Sequence, residues 1–119
     1  MPTRPLHLPA PSPEISRERT RLAPGPAEAF HAFSKSVFAA GALPTRTKQL
    51  IAVAVAHVTQ CPYCIQGHTK AARREGASPE EIMEAIWVAA EMRAGGAFAH
   101  SAIALDAMGL PEGERSSAG

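Results

Sequence analysis

Aromatic residues are scarce in this chain, at 5% of 119 residues, although 45% of it is hydrophobic. A core must therefore be assembled mainly from Ala, Val, Ile, Leu and Met. A chain of this length makes one domain, and a short chain hides a smaller share of its surface than a long one. Part of the apolar surface is accordingly expected between subunits. Charge of one sign is also lacking: the net charge of +1 gives no electrostatic case for nucleic acid. Arg17, Arg19 and Arg21 read as a solvated helix face, and Lys70, Arg73 and Arg74 as complements to a helix C-terminus. No apolar run reaches the length of a membrane span, and the first residues lack a signal peptide's hydrophobic stretch. A cytoplasmic location is the expectation.

Sustained β alternation is missing too, as are a Gly-rich phosphate loop, a G-x-S-x-G elbow and a calcium-type aspartate cluster. No flavin or nicotinamide signature is present, so no cofactor is expected. The predicted fold is all-α, a helical bundle of five to six helices. That argues against the thioredoxin fold, whose cysteine pair follows a β-strand.

Cysteine is rare and concentrated. The two present are Cys61 and Cys64, in Cys61-Pro62-Tyr63-Cys64, with His68 four residues on. In a reducing compartment such a pair is more often catalytic or metal-binding than a structural staple. Ile65 after Cys64 excludes the C-x-x-C-H attachment site of a c-type haem. Pro62 suits the first helical position, which puts Cys61 at the N-cap and Cys64 at the third helical residue. Both sulfurs then lie near unpaired amides and the positive end of the helix dipole, an environment that favours thiolate. At about 100° per residue, Cys61, Cys64 and His68 share one helix face.

Residues 1–13 hold five prolines and should form an extended arm. Ser12-Pro13-Glu14 is placed to start a short charged helix to about Leu22, so that 1–24 reads as an arm with that helix. The core, 25–110, begins with a helix over Ala27–Ala40 that buries Phe30, Phe33, Val37 and Phe38. Pro44-Thr45 opens another, in which Leu50, Ile51, Ala54, Val55 and Val58 repeat at helical spacing. The cysteine helix ends at Gly76. Ser78-Pro79-Glu80-Glu81 is a capping box, leading a stripe of Ile82, Ala85, Ile86, Ala89 and Met92. Gly95-Gly96 predicts a break or a very close helix contact, with a last helix over Ala97–Met108 and a polar tail at 111–119.

The run from Leu43 to Leu105 resembles the core of the carboxymuconolactone decarboxylase and AhpD-like alkylhydroperoxidase superfamily. The residues that carry the resemblance are KQLIAVAV, CPYCIQGH, GASPEEI and AGGAFAH, in that order and spacing. It implies an all-helical fold that assembles as a homo-oligomer, often a hexamer built as a trimer of dimers. It also implies peroxide reduction, in which Cys64 becomes the sulfenic acid and Cys61 is proton donor and resolving thiol. His68 would belong to a proton relay. Gln49 stands where the family's relay glutamate is expected, and Tyr63 stands where the best-known members have a second histidine. An amide orients a histidine but accepts no proton at neutral pH. His57, His100 and Glu91 are alternative bases.

The leading function is a thiol peroxidase or related dithiol oxidoreductase, taking a hydroperoxide and an external dithiol reductant. Alternatives are a decarboxylase or lyase on the same fold, a metal site built from Cys61, Cys64, His68 and His57, and a non-catalytic oligomeric module. Plainer accounts stand beside these roles. The cysteines would be buried thiols, His68, His57 and His100 structural histidines, and Gln49 a buried amide paired to a neighbour. Trp87, Met83 and Met92 would serve core or interface.

Overall fold

A computed structural model describes residues 8–112; most of the proline-rich arm and of the polar tail lie outside the described residues. Five α-helices and no strand are present among them, as the patterning predicts. The helices are α1 (Pro13–Leu22), α2 (Pro24–Phe38), α3 (Thr45–Thr59), α4 (Pro62–Arg74) and α5 (Pro79–Ala107). They fall into two compact units, one ending at Thr45 and the other beginning at Arg46.

The first unit is the α1–α2 pair. Ser12 caps α1, its hydroxyl accepting the Ile15 amide at 3.2 Å, with Pro13 at the first position. Pro24 does not hold the chain out of α2 but opens it, three residues before the expected start at Ala27. Both prolines fall in the first turn, where a missing N–H costs nothing. The aromatic stripe of α2 is not buried as expected. Phe30 and Phe33 are 68% and 63% exposed, their rings tilted at 52° with centroids 6.5 Å apart.

The second unit holds α3, α4 and α5 around a small cluster of Val53, Ala72, Ala77 and Ile82, with Leu50 and Ile86 packed against it. In α3 the buried positions are Gln49, Val53 and Ala56, whereas the more hydrophobic residues Ile51, Val55 and Val58 face outward. The capping box of α5 forms: Ser78 accepts the Glu81 amide at 3.1 Å and donates its own to the Glu81 carboxylate at 2.9 Å. Arg46 on α3 lies 3.8 Å from the same carboxylate.

The break at Gly95-Gly96 is absent. Helix α5 runs unbroken through both glycines for 29 residues, and the separate last helix is part of it. Two glycines cost a helix roughly 1 kcal/mol each relative to alanine. The strong formers around them, including Glu91, Met92, Arg93 and Ala97, outweigh that. Nor does another helix crowd the pair: a Cβ on Gly96 would meet nothing within 4 Å, and one on Gly95 only Glu91 of the same helix.

All three helices of the second unit end in one motif. A residue with positive φ follows the helix, and the next amide reaches back five residues. The pairs are Cys61 to Ala56 at 3.2 Å, Ala77 to Ala72 at 2.9 Å and Leu110 to Leu105 at 2.9 Å. This is the Schellman arrangement, and it favours glycine at the positive-φ position. Gly76 (φ 90°) and Gly109 (φ 77°) satisfy it; after α3 the position is Gln60, at φ 57°. A side chain in the left-handed region costs about 1–2 kcal/mol. Gln60→Gly relieves it while adding chain entropy to the unfolded state. The net expectation is a gain of roughly 0.5–1 kcal/mol, read as a raised denaturant midpoint at unchanged slope.

A candidate dithiol site at the start of α4

Cys61 belongs to two helix ends at once. Its amide closes the end of α3 on Ala56, and its side chain caps α4, with Sγ accepting the Cys64 amide at 3.3 Å. Its backbone is extended (φ −102°, ψ 102°), as an N-cap requires. Pro62 and Cys64 take the positions that the sequence predicts. Both cysteines are reduced thiols, half-buried, with no disulfide between them.

The pair is electrostatically split. A hydrogen bond from the Cys64 thiol, joined by the amides of Cys64 and Tyr63, holds the Cys61 thiol below the usual cysteine range. Burial opposes this weakly, and no acidic side chain stands in the first turn of α4 to cancel it. The same bond pushes Cys64 upward, because its hydrogen is engaged with Cys61; burial and the Cys61 charge add to the shift. Of the two thiols, Cys61 is therefore the more acidic and Cys64 the one that holds its proton more firmly.

His68 follows one helical turn after Cys64 and is half-buried. Its Nδ1 lies 2.8 Å from Oε1 of Gln49, a residue only 8% exposed on α3. With the amide oxygen facing it, Nδ1 carries the hydrogen and donates it. The lone pair of the neutral ring is then on Nε2. The structure thus brings together Gln49 and His68, residues nineteen apart in sequence. It meets both readings of Gln49, the buried amide paired to a neighbour and the partner of His68.

The other candidate bases are placed elsewhere. His57 spends Nδ1 on the Val53 carbonyl of its own helix, at 2.7 Å. His100 is exposed on the distal half of α5. Glu91 turns its carboxylate along α5 toward Gly95. Among the described residues, no group of three or more His, Cys, Asp or Glu side chains is placed to hold a metal ion. The ligand set Cys61, Cys64, His68 and His57 is therefore not assembled. Gln60 escaped the sequence reading. Its signal was visible as the lack of a glycine between two helices that must reverse within two residues.

Comparison with known proteins agrees with this architecture. A protein of Paracoccus denitrificans, named uncharacterized protein 4 in cox locus, is 76% identical over 78 residues. The match spans 66% of this chain and 70% of that protein. An uncharacterized protein of Cupriavidus necator is 35% identical over 85 residues, 69% of this chain and 75% of its own length. Among solved structures, a protein from Methanobacterium thermoautotrophicum superposes with a TM-score of 0.67 at 34% identity, covering 71% of this chain and 98% of that one. A carboxymuconolactone decarboxylase family protein from Legionella pneumophila, in its apo form, gives a TM-score of 0.63 at 32% identity, covering 76% and 81%. The sequence profile of that family matches residues 24–107, which takes in α2 to α5 and every candidate site residue, and the chain belongs to the carboxymuconolactone decarboxylase family.

Proposed function

We propose that the protein is a cytoplasmic dithiol oxidoreductase that reduces hydroperoxides and is recharged by an external dithiol. The observation that carries this reading is the reduced Cys61–Cys64 pair at a helix cap, with Gln49 orienting His68 on the same face. In the resting pair the Cys64 proton first passes to the Cys61 thiolate. The Cys64 sulfur then attacks the peroxide, the O–O bond breaks, and Cys64 becomes a sulfenic acid. Cys61 gives its proton to the departing alkoxide. Its thiolate then attacks the Cys64 sulfur, expelling hydroxide, which leaves as water, and closing the disulfide. Two electrons have moved from the dithiol to the peroxide.

The first transfer runs uphill, since Cys61 is the stronger acid of the two. A neutral His68 is the alternative acceptor, but the amide of Gln49 takes no proton from the ring and carries no charge to hold an imidazolium. Slow turnover follows from this pairing. The family reading supports peroxide chemistry over lyase chemistry because carboxymuconolactone decarboxylases do not depend on such a cysteine pair.

Helix α5 also argues for assembly. Its apolar residues are spread around the helix rather than gathered on one face, yet only Ile82 and Ala89 are buried. Trp87 is 68% exposed and Phe98 82%. A groove of about 220 Å³ beside it is lined by Ala54, Val55, Val58, Val88, Ala89 and Met92, without a polar side chain. We place a second copy of the chain on this surface, in a homo-oligomer that we expect to be a hexamer.

Three outcomes follow. One equivalent of t-butyl hydroperoxide should remove both titratable thiols, with the mass falling by two hydrogens and dithiothreitol restoring it; thiols that persist in the folded protein overturn the reading. Gln49→Glu should raise peroxide turnover by ~10–100-fold where proton transfer limits the rate, and an unchanged or lower rate removes the relay. Light scattering at micromolar concentration should give an oligomer, against which a folded, soluble species of 12.5 kDa would count decisively.

A further inference from the structure

Helices α1 and α2 bury no residue of their own. The angle between them holds a hollow of about 600 Å³, inside the roughly 300–1,000 Å³ range of small-molecule pockets. All of its lining residues belong to the first unit. Its shape is set by a connection of one residue. Ala23 ends α1 by donating its amide to the Arg19 carbonyl at 3.0 Å, and its own carbonyl accepts the Ala27 amide at 3.3 Å. Pro24 and Pro26 fix the backbone that follows. A hollow held in this way exists before any ligand arrives, which lowers the cost of filling it.

The lining is of two kinds. Leu22, Ala27 and Phe30 are apolar, whereas Ser16, Arg19 and His31 are polar. Among the described residues, no acidic side chain lines the hollow. Nor is Arg19 neutralised along its own helix. The two carboxylates of α1 go to its other arginines, Glu14 to Arg17 and Glu18 to Arg21. Arg19 has no ion pair among the described residues, and the half-buried Ser16 hydroxyl has no partner there either. No side chain caps α2 and no acidic residue stands in its first turn, so the positive end of that helix adds to the same sign. A cation beside an apolar wall suits a ligand with an anionic head and an apolar body.

We propose that this hollow binds a small amphipathic carboxylate of the medium-chain alkyl acid class. The head group lies at Arg19, whose guanidinium presents parallel N–H donors in the geometry that a carboxylate accepts. Ser16 adds a hydroxyl donor. The alkyl body covers Leu22, Ala27 and Phe30, removing both surfaces from water. Both halves of the ligand are needed, because an ion pair at an exposed arginine contributes little alone. None of the lining residues belongs to the dithiol site, so binding here does not depend on whether that site reduces peroxide.

Octanoate, below its micellar concentration, is the probe. Isothermal titration of the intact protein should show it binding about threefold or more tightly than octanol, which has the same body without the charge. Arg19→Gln should lower octanoate affinity roughly three- to fivefold, the worth of an exposed ion pair, and leave octanol binding unchanged. Arg17→Gln removes the same charge from the same helix but lies outside the hollow, and octanoate affinity should survive it. An octanoate analogue bearing an alkyl diazirine should label the tryptic peptide 22–35, which holds Leu22, Ala27 and Phe30, and free octanoate should compete. Absence of binding, equal losses in the two arginine variants, or label found mainly outside 22–35 would overturn the proposal. So would octanoate uptake that tracks dissociation in light scattering, since the hollow would then be a contact between copies of the chain.

Discussion

Cys61 is where the second unit is held in register. Its amide ends α3 and its sulfur begins α4, so a single residue fixes the chain reversal that faces Gln49 toward His68. A connection this short leaves little freedom. The left-handed Gln60 lies within it, where the other two helix ends have glycine. The strain is local to that connection. The physical result is a thiol whose position depends on backbone hydrogen bonds rather than on side-chain packing. Its ionisation depends on the helix that it caps.

Gln49 is the residue that ties α3 to His68 on α4. As an amide it completes the geometry, holding Nδ1–H of His68 at 2.8 Å from a buried helix face. A glutamate would add a charge that stabilises a protonated ring; glutamine supplies orientation alone. The cysteines' shared hydrogen bond splits them into a more and a less acidic partner. The same interaction that makes Cys61 the more acidic thiol makes Cys64 the less acidic one.

The small core and the large apolar exterior belong together. Among the described residues six hydrophobic ones are buried, five of them in the second unit's helices and one, Ala77, in the turn before α5. Four of these six are alanines, which bury little area. The larger side chains, among them Trp87, Met92 and Phe98, look outward. Hydrophobic side chains of this size normally contribute about 1.5–3 kcal/mol each on burial. A chain that leaves so many exposed forgoes that stabilisation within its own fold.

Much of this was legible in the sequence because the signals are local. Pro62 after Cys61, Ser78 with Glu81, and Ser12 with Pro13 each announce a cap by chemistry confined to one turn. The five helices follow from them, and the profile match confirms the family to which the cysteine helix pointed. What was misread needed more than local information. Gly95-Gly96 looked like a break because glycine propensity is counted singly, whereas a 29-residue helix averages it over many good formers. The stripe on α3 looked like the buried face because it is the most apolar, yet the face toward α4 and α5 is chosen by the fit of Val53 and Ala56 and by the Gln49–His68 bond. Sequence by itself determined which helices form and where the thiols stand on them, since caps and dipoles act within a few residues. Only tertiary structure decided that Gln49 meets His68, because that depends on a distance between residues nineteen apart that the chain must fold to bring together.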